Sequence, residues 1–201
     1  MGAQQSVDFY WDVGSTNTYF AVFLLPAILE RTGASVRWLP FNLGYVFRHH
    51  AYALAQEPEA KLRHRFRDLE RWAARAGLPF RVPRNFPIKT SRALRGAIAM
   101  RRWNAEPRYI EAIFRAYWER GEDVSQYATL RRVATSLGVD PDQFEQESEG
   151  DSVRAQLIRS TNEGLERGVF GAPTLFVGSE MFWGKDRLDF LEAELQRAKS
   201  A

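Results

Sequence analysis

The opening stretch of the chain constrains the fold more than any other part. Residues 7–13 (VDFYWDV) are rich in β-branched and aromatic side chains and stop at Gly14, the pattern of a buried strand. Residues 18–32 follow, apolar at nearly every position and closed by Gly33, which reads as a mostly buried helix with a glycine stop. Residues 35–41 (SVRWLPF) then alternate like a second strand. Strand, helix and strand in such close succession make a βαβ unit, whose strands pair in parallel through a right-handed crossover. Between the first strand and the helix lies Gly14-Ser15-Thr16-Asn17-Thr18. A helix that starts there leaves backbone N–H groups unpaired, and its partial positive charge favours a nearby anion. The plainer reading is that Ser15, Thr16 or Asn17 is simply the helix cap.

The composition narrows the chemistry. With 201 residues, 45% of them hydrophobic and 13% aromatic, the chain can bury a core without covalent staples. It has no cysteine, which excludes disulfides, thiolate zinc sites and a protein-borne redox dithiol; any thiol chemistry must use a sulfur carried in by a ligand. The net charge of +3 comes from 28 Lys+Arg mixed with 25 Asp+Glu. In residues 63–75 the arginines alternate with Asp68 and Glu70, as on a solvated helix face, so nucleic acid is not the expected partner while a small anion suits the balance. The start of the chain lacks a charged segment followed by an apolar run and a cleavage site, and no stretch of about 18 apolar residues occurs, so no membrane partner is expected and the cytoplasm is the expected location. His49 and His50 are adjacent and diverge, with only His64 besides, so no metal site is expected.

From residue 57 to about 137 nearly everything reads as amphipathic helix, in segments 59–76, 91–103, 107–119 and 125–137, broken by Pro79, Pro83, Pro87 and Pro107. Gly138 and Asp140-Pro141 suit the start of another helix, and 151–168 forms a further one. The chain then reverts to strand: 174–177 and 181–183 flank Gly178-Ser179-Glu180 as a hairpin, and 186–199 closes as a helix. Pro173 enters the hairpin in Gly171-Ala172-Pro173-Thr174, where either a cis bond or an ordinary trans proline at a strand start fits. The order β-α-β, helical block, α-β-β-α is that of an α/β, thioredoxin-like fold interrupted by an all-helical insertion. Residues 1–45 and 151–201 would form the thioredoxin-like domain and 46–150 the insertion.

Ser15 and Thr18 stand where the thioredoxin superfamily carries its two active-site cysteines, so S-T-N-T replaces C-x-x-C. The segments DFYWDVGSTNTYFA, LPFNLGYVF, KLRHRFRDLERWAARAGLPFRVPRNFP, AIFRAYW and GVFGAPTLFVGSEMFWGKDRLDFLEAEL together resemble the 2-hydroxychromene-2-carboxylate isomerases and, behind them, the kappa-class glutathione transferases, over almost the full chain. The resemblance implies a cytoplasmic homodimer with glutathione as cofactor, acting in aromatic catabolism. The substrate would be a small aromatic or unsaturated acid. Reversible addition of a thiolate would interconvert 2-hydroxychromene-2-carboxylate and trans-o-hydroxybenzylidenepyruvate.

By the same resemblance Ser15 is the catalytic hydroxyl that holds the thiolate. Ala172, before a cis Pro173, pairs its backbone with the cysteinyl part of glutathione. Asp186 holds the γ-glutamyl amino group, although an acid in the first turn of the last helix also suits the dipole. Arg48 and Lys185 complete the cofactor-binding set, and Asn17, Lys89 and Trp183 face the substrate. Trp72, Trp103 and Trp118 read as core; Trp183 is an aromatic wall of the site or, more plainly, core as well. The chain departs from the family where Ser15-Thr16 replaces Ser-Pro, where Arg48-His49-His50-Ala51-Tyr52 replaces a Lys and a Gly-Asn step, and where Lys89 replaces an Asn. A glutathione-conjugating transferase and a non-catalytic binding protein remain the alternatives.

Overall fold

In strand β1 (Ser6–Trp11) successive side chains point to opposite faces, and both faces are covered. Val7, Phe9 and Trp11 are fully buried in the larger core cluster, whereas Tyr10 packs in a smaller one with Phe41, Val46, Val169 and Phe176. This double burial explains why the strand reads as a nearly continuous apolar run rather than as an alternating one. The computed structural model describes residues 5–53 and 56–199. Its sheet has the order β2-β1-β3-β4, with β2 (Ser35–Pro40) parallel to β1, and β3 (Thr174–Val177) and β4 (Glu180–Trp183) added antiparallel. Gly178, at φ 58°, turns the hairpin between β3 and β4.

Helix α1 (Thr16–Thr32) carries the crossover from β1 to β2. It begins ahead of the expected residue 18, because the Ser15 Oγ accepts the Thr18 N–H at 3.2 Å and caps the first turn. It ends as the sequence predicts, on Gly33 at φ 72°, whose N–H donates to the Leu29 carbonyl at 2.8 Å. After β2 the chain enters helix α2 (Leu43–His49), capped by the Asn42 Oδ1, which accepts from the Tyr45 N–H at 3.0 Å.

The helical block comprises α3 (Glu59–Ala76), α4 (Ser91–Ala99), α5 (Glu106–Trp118), α6 (Tyr127–Ser136) and α7 (Pro141–Glu149). The expected helix 91–103 is divided: α4 stops at Ala99 and passes into a 3-10 turn, Met100–Trp103, ended by Asn104 at φ 51°. Ile110, Ile113 and Phe114 of α5 belong to the same buried cluster as Phe9 and Trp11 of β1, so block and sheet share one core. The Trp118 Nε1–H adds a polar tie, donating to the Val13 carbonyl at 2.7 Å.

Helix α8 (Asp151–Glu166) covers the other face, and α9 (Leu188–Lys199) follows a 3-10 turn at Lys185–Arg187 where the sequence suggested helix throughout. Trp118 is core as expected and Trp72 and Trp103 are partly buried, but Trp183 is 49% exposed, because it ends edge strand β4 with little chain above it. Among the described residues, no helix is long and apolar enough to cross a membrane.

Gly164 sets how closely α8 approaches the sheet. A Cβ there would lie 2.7 Å from the Phe41 Cε2 and 3.0 Å from the Tyr10 Cε1. Gly164→Ala should therefore cost about 1–3 kcal/mol in urea denaturation, although alanine is favoured by about 1 kcal/mol in an unobstructed helix. A more stable variant would show that the two rings give way freely.

Candidate functional site

The site is built where β1 hands over to α1. Asp12 follows the strand and is buried, yet its carboxylate is well supplied with donors. Oδ1 accepts the Gly14 N–H at 2.8 Å, and Oδ2 accepts the Leu43 N–H at 2.9 Å and the Thr90 hydroxyl at 3.0 Å. These donors stand just before α1, at the first residue of α2 and just before α4. One carboxylate thus fixes the starts of three helices around the junction. Burial pushes the Asp12 carboxyl up to about 6, against the three hydrogen bonds, which pull it down. Nothing in the sequence pattern singled out Asp12; the available signal is an acid beside the end of an otherwise apolar strand.

Ser15 fills the plainer of the two roles the sequence allowed. It is the cap of α1, and its buried hydroxyl also donates to the Ala172 carbonyl at 2.7 Å, joining residues 157 positions apart. The Ala172–Pro173 bond is cis. The Thr174 hydroxyl donates to the Gly171 carbonyl at 2.7 Å, and the Pro173 carbonyl accepts the Gly184 N–H at 3.0 Å, so the loop is held from both sides. One turn into α1, the buried Thr18 Oγ1 has no hydrogen-bond partner among the described residues.

The structure brings Lys185 and Asn17 together. The Lys185 Nζ donates to the Asn17 Oδ1 at 3.0 Å, lies 3.8 Å from an Asp68 carboxylate oxygen, and sits 4.8 Å from the centre of the Trp72 ring. Burial lowers the Lys185 pKa, and the charges of Asp68 and Asp186 oppose the shift. Asp186 is half exposed in the adjoining turn and pairs with Arg187 at 2.8 Å. Trp183 stacks obliquely on Phe170, ring centres 4.9 Å apart, and lies over Gly171, where a Cβ would come within 2.8 Å of the indole Nε1. This exposed aromatic pair flanks the cis-proline loop.

Arg48 and Lys89 stand elsewhere. Arg48, on the last turn of α2, lines a cavity of about 480 Å³ with Asn42, Tyr45, Ser91 and Arg95. Lys89 lines a neighbouring cavity of about 490 Å³ that shares Ser91, Arg95 and Arg154 with the first. Ser15 is in neither lining, but Asn42 and Ser91 are chain neighbours of Leu43 and Thr90, which bond Asp12. Arg95 and Arg154 were not foreseen, because arginines on helices read as solvated charges. Where the family's Gly-Asn step was expected, Ala51 takes φ 51°, the left-handed conformation that glycine favours. Among the described residues, no group of three or more His, Cys, Asp or Glu is placed to hold a metal ion.

The Asp12 shift from 3.8 to about 6 means that between those values the folded chain holds a proton that the unfolded chain has released. Stability contributed at this residue therefore falls as pH rises through that window. The stability of the wild type minus that of Asp12→Asn should fall by up to about 3 kcal/mol between about pH 4 and pH 6.5, read by urea denaturation. A pH-independent difference would show that the carboxyl is ionised throughout.

The chain and its fold have counterparts among known proteins. The DsbA-like thioredoxin domain matches residues 6–196. A 2-hydroxychromene-2-carboxylate isomerase of Sphingobium xenophagum is 30% identical over 193 residues, covering 95% of this chain and 98% of its own. Glutathione S-transferase kappa 1 of Caenorhabditis elegans is 27% identical over 209 residues, covering 95% and 91%. The solved structure of a selenomethionyl 2-hydroxychromene-2-carboxylate isomerase superposes with a TM-score of 0.86 at 29% identity, covering 96% of this chain and 95% of that one. With a cysteine-free junction closed onto a cis-proline loop, and with likeness running nearly end to end, the chain belongs to the DsbA-like thioredoxin-domain family and, within it, to the branch of the 2-hydroxychromene-2-carboxylate isomerases.

Proposed function

We propose that the protein is a glutathione-dependent isomerase that interconverts 2-hydroxychromene-2-carboxylate and trans-o-hydroxybenzylidenepyruvate. The observation that carries this reading is the Ser15 hydroxyl, buried at the start of α1 and bonded to the carbonyl before cis Pro173, in a chain without cysteine. The residues present fit a thiol ligand. A hydroxyl and a helix N-terminus favour a thiolate there, and the orphaned Thr18 Oγ1 leaves polar capacity beside them. When bound, glutathione supplies the sulfur that adds to and leaves the conjugated carbon, so that the carbon–carbon bond can rotate while it is single.

The protein's part is to hold and orient. With a thiol bound, Ser15 would turn its proton from the Ala172 carbonyl to the sulfur, and that carbonyl would be free to accept a peptide N–H. A ligand that took the hydroxyl and offered no donor in return would leave a buried carbonyl unpaired, at a cost of about 1–3 kcal/mol. In this reading Ala172, Pro173, Asp186, Lys185 and Arg48 serve the peptide, while Asn17, Lys89 and Trp183 serve the substrate. Lys185 acts by fixing Asn17 at the start of α1, to which its amine is already bonded. The reading includes a cytoplasmic homodimer, expected from the resemblance alone and tested by sedimentation.

A conjugating transferase is the second reading, favoured by the similarity to the kappa-class protein; product analysis separates a stable adduct from an isomer. The direct test is calorimetric titration with glutathione and with S-methylglutathione. Tighter binding of the free thiol supports a thiolate at Ser15, and no binding of either overturns the reading. Ser15→Ala should lower turnover about 10²- to 10³-fold, as loss of one donor to a developing anion does elsewhere, while costing about 1 kcal/mol of stability as a lost cap. Retained turnover with a small drop in Tm would leave Ser15 as a cap alone.

A further inference from the structure

Thr90 stands directly before α4, where a threonine ordinarily caps its helix. Here it does not, and the start of α4 has no side-chain cap. The hydroxyl donates instead to the Asp12 Oδ2 at 3.0 Å, across 78 positions of chain. The methyl faces the same junction, since a Cβ on Gly14 would lie 3.0 Å from the Thr90 Cγ2. Thr90 is buried, so neither group is spent on solvent. The fold thus forgoes about 1 kcal/mol of capping, and the side chain lies against Asp12 and Gly14 instead. Ser15 hangs from those two residues: the Gly14 N–H donates to the Asp12 Oδ1 at 2.8 Å, and the Ser15 N–H donates to the Asp12 backbone carbonyl at 3.0 Å.

The three donors on the Asp12 carboxylate are not alike. The N–H groups of Gly14 and Leu43 can only donate, whereas a hydroxyl donates or accepts. A carboxyl that takes up a proton needs an acceptor for it, and of the three partners Thr90 alone can supply one, by turning its own O–H aside. Burial brings that proton within reach, pushing the carboxyl up to about 6. Around Asp12, α1 and α2 present the N–H groups of Gly14 and Leu43, α4 presents Thr90 with Lys89 beside it in the chain, and α5 presents the Tyr117 hydroxyl, on which the Asp12 charge acts. The geometry points to Thr90 as a positioning residue for the reaction at Ser15, whose hydroxyl keeps Asp12, Gly14 and therefore Ser15 in place whether or not the carboxyl carries a proton. The reaction itself rests on the isomerase reading; the hold of Thr90 on Asp12 does not.

The test compares Thr90→Val, which keeps the shape and loses the hydroxyl, with Thr90→Ser, which keeps the hydroxyl and loses the methyl. The first measurement is the pH titration of Asp12, followed through its side-chain carboxyl carbon by NMR on the full chain without ligand. The Thr90 bond pulls the Asp12 carboxyl down, so Thr90→Val should move the titration upward by about one pH unit, while Thr90→Ser leaves it in place. The second is glutathione-dependent turnover of 2-hydroxychromene-2-carboxylate across pH, well below each protein's Tm. The kcat of Thr90→Val relative to wild type should fall about tenfold as pH drops through the Asp12 titration, with a much smaller change in KM for glutathione, as expected of a misplaced group. Thr90→Ser should follow wild type at every pH. The inference is overturned if Asp12 titrates alike in all three proteins, if the kcat ratio is flat in pH, or if the two variants lose turnover equally, since packing alone would then explain the loss. A titration that shifts in Thr90→Val, beside a wild type with no glutathione-dependent turnover, would overturn the isomerase reading and uphold the hold of Thr90 on Asp12.

Discussion

Everything around the junction depends on the buried carboxylate of Asp12. A charge taken out of water is costly unless its oxygens are saturated with donors, and here the donors are two backbone N–H groups and a hydroxyl. The N–H groups lie beside the starts of α1 and α2, where no helical carbonyl is available to pair them. The carboxylate and the helix starts therefore satisfy each other, and the arrangement stores a positional constraint. Gly14, Leu43 and Thr90 cannot move independently without leaving a buried polar group unpaired. Gly14 adds a steric limit, since a Cβ there would come within 3.0 Å of the Thr90 Cγ2.

On that frame the hydrogen bond from Ser15 to the Ala172 carbonyl closes the site across the sheet. A cysteine at this place would hold the reactive sulfur within the protein. A serine cannot do this, because an alcohol neither forms a disulfide nor acts as a thiolate near neutral pH. The short bond to Ala172 also keeps a capping serine from spending its proton on water, so both groups are paired within the buried junction.

How much of this the sequence discloses follows from how local each feature is. The bounds of α3 and β3 are legible because amphipathic period, glycine stop and β-branched run all sit within the element itself. The pairing of Ser15 with the cis-proline loop is legible only as a family pattern, since nothing near residue 15 refers to residue 172. Asp12 escapes notice because two of its three partners lie 31 and 78 positions away, and an acid near a strand end is ordinary. Helix α2 escapes because a seven-residue helix is too short to show a periodic face and is held by the Asn42 cap and by Asp12. Trp183 misleads for the opposite reason: a large aromatic beside a strand reads as core, but β4 is an edge strand and its end is open.

The distribution of charge explains why a chain so rich in arginine does not present a broad basic face. Arg31 pairs with Glu192, Arg37 with Asp8, Arg101 with Glu106 and Arg131 with Asp142 and Glu145. Exposed pairs of this kind add little stability, about 0–1 kcal/mol each, and their larger effect is to cancel the field that would attract a polyanion. Cancellation fails between α2, α4 and α8, where Glu149 alone among the lining residues faces the arginines and Lys89. A modest net charge of +3 can therefore coexist with a strongly cationic cavity. The surplus charge is therefore local, on a lining whose Asn42 and Ser91 are chain neighbours of Leu43 and Thr90, the residues that bond Asp12.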